Sequence, residues 1–225
     1  MKPLTHIALV AAITAASACS GASPLAPAAT SIDVSSAAAP IRNTAIVHIP
    51  LFVEDAGRQP PSDDNTRLFE VRTHKPVMAP DGHQITFAEF RAPQGSASVL
   101  CSARGTVVTL QLTHLIPDAL YTAWNVVFKA PGFEPTFANL IGLGALGWPS
   151  ETQNVFRSSP IGEAAISTVT APGPLSAMGS IGACAPRDEF EWHVVGAYHL
   201  DGRSHGATLG PDGTAVEQFG FIFNR

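Results

Sequence analysis

With 225 residues the chain has room for one domain plus appendages. Only 14% of its residues are charged against 45% hydrophobic, which leaves enough Val, Ile, Leu, Phe and Trp to bury a core. Net charge is −5 and the 13 Lys and Arg residues are scattered, so nucleic acid is excluded as a partner, because neutralising phosphates takes clustered basic side chains.

At the start of the chain, "MKPLTHIALVAAITAASACS" has one Lys at position 2, an apolar stretch from about Leu4 to Ala16, small residues and then Cys19. This is the layout of a secretory signal peptide. The apolar stretch falls short of the ~20 residues a spanning helix needs. Its end, "ASAC", resembles the lipobox of bacterial lipoproteins, in which the Cys becomes the lipidated first residue of the mature protein. The Leu usual three positions before that Cys is Ala16 here. The resemblance implies a signal peptide over 1–18, lipidation of Cys19 and a membrane partner reached through that lipid. The expected location is therefore the bacterial cell envelope: outer membrane, periplasm or cell surface. Residues 19–40, rich in Ser, Ala and Pro, bury too little apolar surface to offset their ordering entropy and read as a disordered tether. Export leaves Cys101 and Cys184 as an even pair in an oxidising compartment. A disulfide between them would contribute up to ~4–5 kcal/mol by constraining the unfolded chain. The other reading is two unrelated small apolar residues.

From 41 to 225 the texture is one domain of short apolar runs punctuated by Gly, Pro, Asp and Asn. Strands are expected at "TAIVHIPLFV" (interrupted at Pro50), "RLFEVR", "QITFAEFRA", "SVLCSA" and "GTVVTLQLTHL". In the last of these Val108, Leu110 and Leu112 share one face, the period of two of a half-buried strand. "YTAWNVVFK" is nearly all apolar and reads as a central strand; "EAAISTVTA", "EFEWHVVGAYHL" and "TAVEQFGFIFN" complete the set. No segment sustains a capped helical period. The predicted fold is all-β, an antiparallel sandwich of the immunoglobulin/fibronectin or jelly-roll kind.

Leu115, Pro117 and Tyr121 form L-x-P-x-x-x-Y, which resembles the tyrosine corner of such sandwiches. The resemblance implies that the Tyr121 hydroxyl bonds back to the backbone just upstream. Residues 130–162 read as a long irregular insertion rich in Gly and Pro. A short helix over Phe137 to Leu146 is weakened by Gly142 and Gly144. The insertion's apolar residues suit either a lid packed on the sandwich or a binding loop presenting Phe133, Phe137 and an exposed Trp148 to an unknown protein or small-molecule ligand.

"LYTAWNVVFKAPG" and the later "HVVGAYHLDGRSHG…VEQFGFIFN" are similar to segments of a group of uncharacterised secreted bacterial and archaeal proteins. Those carry a "YTVWNVVFNNP"-like strand and a late "RSHG" stretch. The resemblance spans roughly Gly105 to Phe223 and implies fold and export, with no activity attached.

Motifs for nucleophilic, phosphate-binding or zinc-protease chemistry are missing, which leaves the evenly spaced His193, His199 and His205. On a straight strand His193 and His199 share a face but lie ~20 Å apart, too far for one metal. A two-residue hairpin at Asp201-Gly202 would pair Tyr198 with His205 and put His199 and His205 on opposite faces. A three-residue turn would set them face to face. His199 and His205 are therefore the candidate metal ligands, with a third ligand sought at His114 or His48. The primary expectation is a non-enzymatic binding or structural module with no cofactor. The alternative is a metal-binding protein or metal-dependent enzyme using His199 and His205.

Overall fold

A computed structural model of the chain describes residues 39–102, 104–129, 140–150, 152–171 and 190–223. The segment read as a signal peptide, Cys19, most of the segment read as a tether, Phe133, Phe137 and Cys184 lie outside the described residues. Twelve strands are described: β1 Ile41–Asn43, β2 Ile46–His48, β3 Val53–Glu54, β4 Phe69–Glu70, β5 Gln94–Ser102, β6 Gly105–Thr113, β7 Leu120–Lys129, β8 Leu140–Ala145, β9 Val155–Arg157, β10 Ala164–Thr170, β11 Phe190–His199 and β12 Ala215–Phe223. Their antiparallel pairing gives a four-stranded sheet, β1-β5-β6-β10, and a larger sheet, β2-β12-β11-β7-β8, with β9 also on β7. A short third pair joins β3 to β4. This is the expected all-β sandwich. The chain changes sheets between β1 and β2 across only Thr44 and Ala45, and the Asn43 side chain ties that corner to the Ile222 carbonyl at 2.6 Å.

Alternation of side chains sorts the two faces of the large sheet. Tyr121, Ala123 and Val127 of β7 and Trp192, Val194 and Tyr198 of β11 point inward, to a core completed by Val108, Leu110 and Leu112 of β6. The outward face is also covered. Trp124, Val126 and Phe128 of β7 and Val195 and Ala197 of β11 form a second cluster under Ile49, Leu140, Leu143, Ala207 and Leu209. Burial on both faces is why β7 reads as a nearly continuous apolar run.

The tyrosine corner forms as expected. The Ile116 N–H donates to the Tyr121 hydroxyl at 3.1 Å, and that hydroxyl donates to Gln218 Oε1 at 2.8 Å. Gln218 is the extra residue of a β-bulge: Gly196 opposes Phe219 while Ala197 opposes Glu217. The bulge turns its side chain inward, where Nε2 donates to the Phe90 carbonyl at 2.8 Å. Gly196 is required there, since a Cβ would lie 2.1 Å from the Phe219 ring.

Three local expectations are corrected. "QITFAEFRA" is not a strand: after isolated bridges at Gln84 and Thr86 comes a one-turn helix, α1 Phe87–Phe90. Thr86 and Glu89 make a reciprocal capping box, a T-x-x-E signal that outweighs the β-branched and aromatic content. The insertion is less irregular than its Gly and Pro content suggests, because β8 and β9 both pair with β7. Leu140–Ala145 is a strand and not part of a helix, consistent with the cost of Gly142 and Gly144 to a helix. Lastly, β11 and β12 are not joined by a tight hairpin. His199 pairs with Ala215, and residues 200–214 form a long loop folded over the outward face.

Candidate metal centre

Asp201-Gly202 does turn the chain, with the Gly202 N–H donating to the His199 carbonyl at 3.3 Å, but the strand does not return there. The loop continues through Gly206 and Gly210, both at positive φ, and so bends back toward the end of β11. Gly210 packs so closely on His205 that a Cβ would lie 2.3 Å from the imidazole. Asn154, just before β9, holds the same stretch by donating from its side-chain amide to the Gly206 carbonyl at 3.3 Å. His205 thereby meets His199 through loop folding and not through the hairpin register considered from sequence. Their ring centroids are 5.9 Å apart.

Asp201 joins them. Among the described residues, His199, Asp201 and His205 form a group in which one potential ligand atom from each lies within 4.8 Å of the others. His205 Nε2 and Asp201 Oδ2 are hydrogen-bonded at 3.0 Å. His199 is rooted in the sheet and 1% exposed, whereas His205 and Asp201 reach toward solvent. Behind His199, its Nε2 lies 2.8 Å from Thr122 Oγ1, and Trp124 Nε1–H donates to that same oxygen at 2.8 Å. The other ring nitrogen, Nδ1, is buried with no hydrogen-bond partner among the described residues.

Electrostatics fit this division. Burial pushes the His199 imidazole below the usual histidine range, with His205 acting the same way and Asp201 opposing. The neutral ring, the form that ligates metals, is therefore favoured. Burial alone would raise the Asp201 carboxyl, but the Arg203 backbone N–H and the His205 and His199 rings outweigh it and hold it below the usual carboxylate range.

Other sequence candidates fall elsewhere. His193 shares the outward face with His199 but bonds Glu191 at 2.8 Å and does not belong to the group, as strand geometry requires. His114 is exposed against Thr113 and His48 sits on β2, so neither supplies the third ligand. Trp148 is half-buried and not exposed, tied through its backbone to Ala145 and Ala171. Sequence reasoning treated Asp201 only as a turn residue and Thr122 and Trp124 only as core. The available signals were the H-x-D spacing of His199 and Asp201 and the shared face of Thr122 and Trp124.

No helix of the described residues is long and apolar enough to cross a membrane. No protein-family model and no curated protein matches the chain.

Proposed function

We propose that this chain is an exported, lipid-anchored envelope protein whose β-sandwich binds a divalent first-row transition-metal ion at His199, Asp201 and His205. The observation that carries the reading is the bare, buried Nδ1 of His199 beside two further side chains able to ligate. Two imidazoles and a carboxylate suit Zn2+, Cu2+, Ni2+ or Fe2+ better than Ca2+ or Mg2+, which prefer all-oxygen sets. Three protein ligands leave a coordination position for water or an exogenous group. A metal held by all three would take the place of the proton shared by His205 and Asp201, so uptake weakens as pH falls.

Elemental analysis of protein purified without chelator or His-tag tests the reading, and a stoichiometric transition metal is expected. Zinc at 100 times its Kd stabilises by about 2.7 kcal/mol. For a domain of this size that raises Tm by roughly 5–10 °C. Metal-free protein with an unchanged Tm in added zinc rejects the site. Export and anchoring are supported by the signal-like leader and Cys19. Cys19→Ser is expected to release the protein from membranes, and continued retention argues against lipidation. The proposed Cys101–Cys184 disulfide predicts that alkylation without reduction labels neither residue; labelling of both refutes it.

A further inference from the structure

The polar triad behind the proposed metal ion says which atom of His199 would hold it. Resting on the metal reading above, we propose that Thr122 and Trp124 are positioning residues that fix His199 in its Nε2–H tautomer, leaving Nδ1 as the ligating atom. The indole N–H can only donate, so Thr122 Oγ1 accepts from Trp124. The same oxygen meets His199 Nε2 at 2.8 Å, all three side chains being 1% exposed or less.

Two arrangements are compatible with these distances. If the Thr122 hydroxyl donates to Nε2, the His199 proton sits on Nδ1 and becomes a buried N–H with no acceptor among the described residues. Leaving a buried donor unmade costs about 1–3 kcal/mol. If Nε2 carries the proton, it donates to Thr122 Oγ1, which has two lone pairs and accepts from both rings. Nδ1 is then a bare lone pair on a ring that is grouped with His205 and Asp201. The second arrangement moves the unpaired donor from the ring to the Thr122 hydroxyl, and it frees Nδ1, the His199 nitrogen with no partner among the described residues, to ligate. It also matches the usual construction of metal sites, in which the non-ligating ring N–H is held by a fixed acceptor that sets the tautomer and ring angle. β7 is well suited to provide that acceptor. Thr122 and Trp124 stand two residues apart on one face of a strand paired on both sides, so neither can drift relative to His199.

Long-range 1H–15N spectra of the 15N-histidine-labelled chain test this directly. In metal-free protein His199 should show the Nε2–H pattern, and zinc should move the Nδ1 resonance. Thr122→Val should weaken zinc binding about 10- to 100-fold, the usual cost of losing such a partner. Thr122→Ser, which keeps the oxygen, should recover affinity to within a few-fold and guards against a folding artefact in the Val variant. An Nδ1–H tautomer, zinc perturbation at Nε2, or unchanged affinity in Thr122→Val overturns the inference. An Nε2–H ring in a chain that binds no zinc supports the positioning role and overturns the metal reading instead.

Discussion

Tyr121 and His199 lie on the neighbouring strands β7 and β11, on opposite faces of the same sheet, 0% and 1% exposed. Each is a ring carrying polar atoms into the buried interior. The Tyr121 hydroxyl accepts from the Ile116 N–H, donates to Gln218, and passes the chain on to the Phe90 carbonyl. Its partners come from the corner, the bulge and α1, so the network fastens three separate parts of the fold. Burial raises its pKa well above the ordinary tyrosine value, which keeps the hydroxyl protonated and able to donate. Among the described residues, His199 is bonded on one side only. A polar group with every bonding capacity satisfied holds structure together; one with a lone pair left bare beside other ligating groups has capacity for something outside the chain. The bare atom alone would not carry this, since the described residues include other buried unpaired atoms, such as Asn125 Nδ2 and Thr168 Oγ1. What separates His199 is its company.

The contrast predicts opposite outcomes for two substitutions. His199→Leu should lower zinc affinity by more than the roughly 100-fold upper range for losing a supporting partner. Metal-free stability should fall by only about 1 kcal/mol, because Thr122 loses one of its two ring partners but keeps Trp124. Isothermal titration and urea unfolding measure the two quantities separately. Destabilisation by several kcal/mol with unchanged zinc binding would make His199 a structural residue like Tyr121. Conversely, Tyr121→Phe should cost about 1–3 kcal/mol by stranding the Ile116 N–H and the Gln218 side-chain Oε1, while zinc affinity changes less than about two-fold.

The same contrast explains what could be read from sequence. Tyr121 was legible because its partner lies five residues upstream, within a motif whose backbone path is fixed by Leu115 and Pro117. The alternation of Val108, Leu110 and Leu112, and the apolar run of β7, likewise encode their surroundings locally. His199 and His205 were identifiable as a conditional pair, but the way they meet was not. That depends on residues 200–214 lying down on an outward face made apolar by Trp124, Ala197 and the distant Ile49 and Leu143. The Asp201-Gly202 turn is locally a good hairpin signal. It is overridden because Ala207 and Leu209 bury against that cluster and Thr214, not Arg203, returns to pair with Leu200. The helix α1 shows the reverse failure: its capping box was local and readable, but the surrounding β-formers masked it.

If the loop side of the site depends on that packing, Gly210 should be its sensitive point. It has φ +88, and a Cβ would enter the His205 ring. Gly210→Ala should cost about 1–3 kcal/mol of local strain and weaken zinc binding by displacing His205, with His199 unmoved. Histidine NMR shifts confined to His205 would confirm that division; a shift at His199 of equal size would show the two sides moving as one body.

The smallest expected effect concerns the cavity at the far end of the same loop, lined by Phe52, Glu70, Arg72, Leu209, Asp212 and Glu217. Arg72 is paired with Asp212 rather than with Glu217, whose carboxyl is pushed up to about 7 by burial. The folded chain therefore holds a proton on Glu217 that the unfolded chain gives up near the usual 4.5. Stability from this group is complete below about pH 4.5 and is lost as pH rises toward 7. Buried His199 and His48, both lowered, act with the opposite sign, giving stability that grows as pH rises toward 6.5. Comparing wild type with Glu217→Gln isolates the carboxylate from the imidazoles. The variant should match wild type at pH 5 and exceed it by on the order of 1 kcal/mol at pH 8, part of the shift being screened by solvent at this half-buried position. Equal stability at both pH values would show that Glu217 ionises freely, and that the loop closes over it less tightly than it closes over His199.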